Sequence, residues 1–201
     1  MLQQSAMLNR LDTETRALHA EVDAYWLDLL AIGVTREQYK AQLMRVYGFE
    51  APLESALAYT PHLIIADRRE RGRTGLLALD LLALGVTPAK ITALPQCGEI
   101  APFADPVEAL GWKYVAERPT QLHAAIKRNI VSQCADLESA TAYLSACDGV
   151  ASARWHQLGV VLDEVAARPK AKDRIVDAAR SAFTTLSKWF RTSGQHDAVS
   201  P

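Results

Sequence analysis

Leu8, Leu11, Thr15, Leu18, Val22, Trp26 and Leu29 follow one another at steps of three and four. That spacing lines one face of an α-helix; a half-buried strand would alternate with a period of two. Gly33 is predicted to end this helix, and Thr35 to cap the next, which carries Tyr39, Leu43, Val46 and Tyr47 on one side. Pro52 lies inside that second run and predicts a kink or a restart, and Pro61 closes it. An apolar helix is expected over Thr74–Leu84, closed by Gly85, and a short turn of helix begins at Thr87-Pro88. Residues 92–106 hold Pro95, Gly98, Pro102 and Pro106 and read as a long loop. Helix resumes over Pro106–Ile130 with an interruption at Pro119, then over Leu137–Leu162 with a break at Gly149, and finally over Lys172–Arg191. No strand-like alternation, hairpin turn or fixed-period repeat occurs. The expectation is an all-α, single-domain multi-helical bundle of seven to nine helices over residues 1–192, with 193–201 as a disordered C-terminal tail.

Composition narrows the partners. Over 201 residues, 22 Lys and Arg stand against 23 Asp and Glu, so no basic field exists to collect nucleic acid or an anionic membrane. No apolar run approaches the roughly 18 residues of a membrane span, and MLQQSAMLNRLDTETR lacks the apolar centre of a signal peptide. Cys97, Cys134 and Cys147 are in no metal-type spacing and suit a reducing compartment, so a cytoplasmic protein is expected.

His19 sits on the stripe of the first helix, sharing a face with Thr15, Val22 and Trp26. A neutral imidazole there can ligate a metal from inside a bundle; it can equally be a core-boundary histidine satisfied by a neighbouring oxygen. Downstream come Tyr39-Lys40-Ala41-Gln42-Leu43 and Tyr47-Gly48-Phe49-Glu50-Ala51-Pro52-Leu53-Glu54. Arg73-x-x-Leu76-x-x-Leu79-Asp80-Leu81, Ala109-Leu110-Gly111-Trp112-x-Tyr114-Val115-x-Glu117, Arg154-Trp155 and Ala179-x-x-Ala182-Phe183 follow. In that order, from about residue 8 to 191, the chain resembles the bacterial biliverdin-producing heme oxygenases.

The resemblance implies a heme oxygenase-like helical fold that clamps heme between a proximal and a distal helix. It implies an oxidoreductase for which heme is substrate and cofactor together, cleaved with O2 and electrons from an external donor to biliverdin, carbon monoxide and iron. His19 stands at the position of the family's proximal iron ligand, with Glu21 or Asp23 as candidates to orient its ring. The heme-binding set it suggests is His19, Arg16, Tyr114, Glu117, Arg118, Leu122, His123 and Arg154. His19, Arg118 and His123 are the residues with chemical roles, and His19 is the metal ligand.

The chain departs from the family on the distal side. Where many members carry glycines after Tyr-Val-x-Glu, it has Arg118, Leu122 and His123, with Pro119 between them. Glycines let backbone approach a heme face; Pro119 supplies a bend but no close approach. His123 then reads as a second axial ligand, or with Arg118 as a donor to bound oxygen, or as a group facing solvent or filling the pocket. Candidates for the heme carboxylates are Arg10, Arg16, Arg128 and Arg154, while His156 and Val160 occupy positions that are basic in mammalian relatives. Two readings stay open: a heme-degrading enzyme, and a non-degrading heme or tetrapyrrole binding or sensing protein with its distal side blocked or ligated by Arg118 and His123. A structural interaction module with Leu122 filling the pocket is a third. The same fold also hosts di-iron oxidases, for which Glu50, Glu54 and His19 are the available ligands, and thiaminase-type enzymes, for which Cys134 and Cys147 lack a base. The run Arg68-Arg69-Glu70-Arg71-Gly72-Arg73 reads either as a solvated loop or as an anchor for an acidic redox partner protein.

Overall fold

The computed structural model describes residues 5–63 and 72–196. Among them are nine α-helices and no strand: α1 (Ala6–Leu27), α2 (Arg36–Ala58), α3 (Arg73–Ala83), α4 (Pro88–Thr92), α5 (Pro106–Glu117), α6 (Thr120–Gln133), α7 (Ala142–Ser145), α8 (Ala151–Ala166) and α9 (Ala171–His196). Ser5 opens α1 by accepting from the Leu8 amide, and the buried face carries Leu8, Leu11, Thr15, His19, Val22 and Trp26. A 3-10 turn over Asp28–Leu30 and Gly33 at φ +84° end it. Thr35 caps α2 in a reciprocal box with Gln38.

The expected interruption at Pro52 does not divide α2. Pro52 has no N–H to offer the carbonyl four residues back, that of Gly48, and the Cys97 amide bonds that oxygen instead at 2.8 Å. Gly48 has no room for a Cβ, which would run into the Pro95 carbonyl and the Trp189 ring. The 93–105 loop and α9 are thereby drawn onto α2.

Pro119 does break the helix, between α5 and α6. The stretch expected as Leu137–Leu162 is instead a 3-10 helix (Ala135–Ala140), α7 and α8. Asp80 causes the first break: its buried carboxylate accepts from the Ala142 and Tyr143 amides at 2.7 and 2.8 Å, which starts a new helix there. Gly149, at φ +71°, lies in the second. Helix α9 continues to His196, beyond the residue at which the sequence suggests a tail; 197–201 lie outside the described residues.

At the centre α5 lies along α9. Gly111 makes this contact close, since a Cβ there would stand 2.6 Å from the Ala178 Cβ and the Ile175 carbonyl. Helix α1 packs along α9, α8 touches α1, α5 and α9, and α2 packs on α9 with α3 against it.

Candidate functional site

His19 is buried in the seam between α1 and α9, its ring centroid 5.0 Å from that of Phe183. Its Nε2 lies 2.8 Å from the Thr15 hydroxyl, whose own proton goes to the Leu11 carbonyl at 2.7 Å. The hydroxyl therefore accepts from Nε2–H, which leaves the lone pair on Nδ1, 3.9 Å from the Asp12 carboxylate. Burial and then the Arg118 cation push the His19 pKa below its ordinary 6.5, with Asp12 and Asp23 pulling against them. The imidazole is held neutral. Glu21 and Asp23 do not orient the ring: Glu21 pairs with Arg191 at 3.0 Å and Asp23 with Arg118.

Tyr114 completes this group from α5. Its ring meets Phe183 edge-on at 6.2 Å and Trp155 of α8 at 5.6 Å. Its buried hydroxyl has no hydrogen-bond partner, and burial raises its pKa against the neighbouring Thr15 and Arg118. Arg118, at the C-cap of α5, reaches across to Asp23 and ties the α5–α6 junction to α1.

A second cluster lies behind the junction, buried between α2, α3 and α5. Arg73 pairs with Glu50 at 3.2 Å and stands 4.0 Å from Glu117; Glu117 pairs with Lys113 one turn earlier. Among the described residues its two acids and two bases balance. Burial alone would lower the Arg73 pKa, but Glu50 and Glu117 more than reverse this and hold it charged. Both terminal nitrogens of Arg73 donate to the Ala116 carbonyl at 3.2 Å, and Thr120 Oγ1 donates to the Glu117 carbonyl at 2.6 Å. Two carbonyls beside the Pro119 break are thus satisfied by side chains. Tyr143 donates to Glu50 at 3.0 Å.

His123 is 1% exposed, with its ring between Trp26 (5.4 Å) and Tyr143 (4.9 Å) and no partner for either nitrogen. Burial and then Arg73 push its pKa down to about 3. Its neighbour Trp26 is two turns beyond His19 on α1, roughly 10 Å along the axis.

The family model for heme oxygenase matches residues 5–192. The chain belongs to the heme oxygenase family. A search of curated proteins returned no match. Membership in the heme oxygenase family brings a general heme-binding or heme-degrading role, and the all-helical fold agrees with it. Among the described residues no helix is long and apolar enough to cross a membrane.

Of the residues singled out from the sequence, the heme oxygenase fold brings together His19, Tyr114 and Arg118. Glu117 belongs to the second cluster, and His123 contacts Trp26 and Tyr143 rather than the His19 group. Leu122 is half-buried against the core. Arg16 is exposed, 3.3 Å from Asp12, and Arg10 is engaged by Glu14 and Asp173 at 2.5 and 2.6 Å. Arg154 points its guanidinium at the Cys147 sulfur, 3.4 Å away. Arg73 is not part of a surface anchor, being buried at 5% exposure; Arg68–Arg71 lie outside the described residues. The di-iron alternative finds no support in the geometry: Glu50 serves Arg73 and Tyr143, Glu54 accepts from the Thr74 amide and hydroxyl, and among the described residues no three His, Cys, Asp or Glu converge as for a metal ion. Sequence reasoning missed Lys113 and Tyr143: Lys113 stands four before Glu117, a spacing that could have found it, whereas Tyr143 meets Glu50 from 93 residues away and nothing local marks it.

Proposed function

We propose that this protein binds heme with His19 as its proximal iron ligand and, given O2 and an external electron donor, opens the macrocycle to biliverdin, carbon monoxide and iron. The observation that carries the reading is the His19 environment: a buried imidazole kept neutral, facing Arg118, with Tyr114 and Phe183 beside it. Only the neutral ring has a lone pair for iron, so the donor chemistry fits. Bound heme supplies the iron at which O2 is activated. The chain supplies the rest. His19 offers Nε2 once it gives up the Thr15 bond, and its proton then belongs on Nδ1, where Asp12 faces it. A porphyrin lying between α1 and the α5–α6 junction would have to displace the Asp23–Arg118 pair. Tyr114 and an Arg118 released from Asp23 would be the donors on that side.

A second reading, heme or tetrapyrrole binding without degradation, is favoured by one observation. The distal side is filled: Arg118 is tied to α1, and the His123 ring is wedged against Trp26. Titrating hemin into the purified protein and following the Soret band separates the two. A band lost in His19→Ala, followed by biliverdin absorbance on adding reductant and O2, supports the first reading. A stable six-coordinate spectrum altered by His123→Ala supports the second. No Soret shift in the unaltered protein sinks both.

A further inference from the structure

The direction of Arg118 is set by a turn of helix that has lost part of its own bonding. Arg118 is the C-cap of α5, still in helical conformation, with its amide bonded to the Tyr114 carbonyl at 3.1 Å. Pro119 follows at once and brings no N–H, so the Val115 carbonyl has no amide four residues on to accept from. A helix end with unfilled carbonyls frays, and unwinding by a single residue would swing Arg118 round by about 100°. The next two carbonyls are filled by side chains. Arg73 of α3, 5% exposed, gives both terminal nitrogens to that of Ala116 at 3.2 Å, and Thr120 gives its hydroxyl to that of Glu117 at 2.6 Å. Nε of Arg73 meanwhile meets Glu50 of α2 at 3.2 Å. One planar guanidinium thus fixes the last turn of α5 against α2, a geometry that the single nitrogen of a lysine cannot reproduce.

We propose that Arg73 is a positioning residue: through the Ala116 carbonyl it holds the last turn of α5 so that Arg118 is presented toward α1 as a donor on the heme side. The inference rests on the roles given to His19 and Arg118 above. Arg73 stands in the cluster behind the junction, so its effect passes through the backbone of α5 and not by contact with a ligand.

Fluoride bound to the ferric hemin complex is the probe, because a cationic donor beside the iron holds the anion by a charge-assisted hydrogen bond. The full-length protein and its variants are saturated with hemin, and fluoride affinity is read from the visible spectrum. Arg118→Ala should weaken fluoride by about tenfold or more, the worth of one hydrogen bond to a charged group. Arg73→Lys keeps a cation beside Glu50 and should still weaken fluoride by roughly two- to tenfold. Combined with Arg118→Ala it should add nothing, since a residue that acts through Arg118 has no effect once Arg118 is gone. A merely structural loosening would add to the loss. Thr120→Val frees the neighbouring carbonyl without touching the buried charges, and serves if Arg73→Lys does not fold. It should weaken fluoride by roughly two- to fivefold, again only while Arg118 is present. Unchanged affinity in Arg73→Lys and Thr120→Val, losses that add to that of Arg118→Ala, no effect of Arg118→Ala, or a hemin complex that takes up no fluoride overturns the proposal and leaves His19 as the ligand standing. No Soret shift in the unaltered protein overturns both.

Discussion

Thr15 competes for the atom that the proposed chemistry needs. Its hydroxyl holds Nε2 of His19, one turn away, and ligation of iron through that nitrogen has to break the bond. Thr15→Val keeps the buried shape and removes the competitor. Hemin affinity, read from a Soret titration, should rise by roughly two- to tenfold, the worth of one neutral hydrogen bond. His123 makes the opposite kind of prediction. Two buried ring nitrogens without partners are a cost, so His123→Phe, which keeps a ring between Trp26 and Tyr143, should stabilise the fold by about 1–2 kcal/mol in urea denaturation. The pH dependence follows from the same ring. Its folded pKa, about 3, lies below the ordinary 6.5, so the folded state refuses a proton that the unfolded chain accepts. The contribution is fully present above pH 6.5 and falls by up to roughly 1.4 kcal/mol per pH unit as the pH drops toward 3. In His123→Phe that part of the slope should vanish; an unchanged slope would show that the ring titrates normally.

At the level of elements, the α5–α6 break is made by Pro119 and held by Arg73. The guanidinium occupies the Ala116 carbonyl and balances Glu50 and Glu117, so removing it takes the cation from buried Glu50 and leaves Glu117 with Lys113. Arg73→Met should cost about 3–5 kcal/mol, and adding Glu50→Gln should recover part of that loss in a double-mutant cycle. Much of this layer was legible in the sequence. Thr, Gly and Pro signals, with the three- and four-residue spacing, placed α1, the Thr35 cap, α3, α4 and the Pro119 break, because each depends on neighbours within one turn. What escaped depends on partners far along the chain. Asp80 of α3 starts α7 some 60 residues later, and the Gly48 carbonyl that Pro52 abandons is rescued from the 93–105 loop. The candidate site divides the same way. His19 was readable from its helix face and Tyr114 from its motif, whereas the Glu50–Arg73–Glu117 group joins three helices and has no local signature.

Across the whole molecule, the proposed function makes α1 and the α5–α6 junction two jaws, with Asp23–Arg118 as the tie between them. Both side chains are partly exposed, at 22% and 24%, so the tie is modest and screened by salt. Asp23→Asn should raise the hemin association rate in stopped-flow by roughly two- to fivefold, with little change in the urea midpoint. An unchanged rate would mean that the jaws part elsewhere.

The bond from Cys97 to the Gly48 carbonyl also sets a clock. The Cys97 thiol is buried, and burial pushes its pKa up, so the folded protein offers neither access nor thiolate to an alkylating reagent. The amide of the same residue is what seals the gap that Pro52 leaves in α2. The rate at which Cys97 takes a label therefore measures how often the 93–105 loop lifts from that helix, and each lift exposes an unpaired carbonyl in mid-helix. One native thiol thus reports, with no engineered cysteine, on the seam that joins the loop, α2 and the Trp189 face of α9.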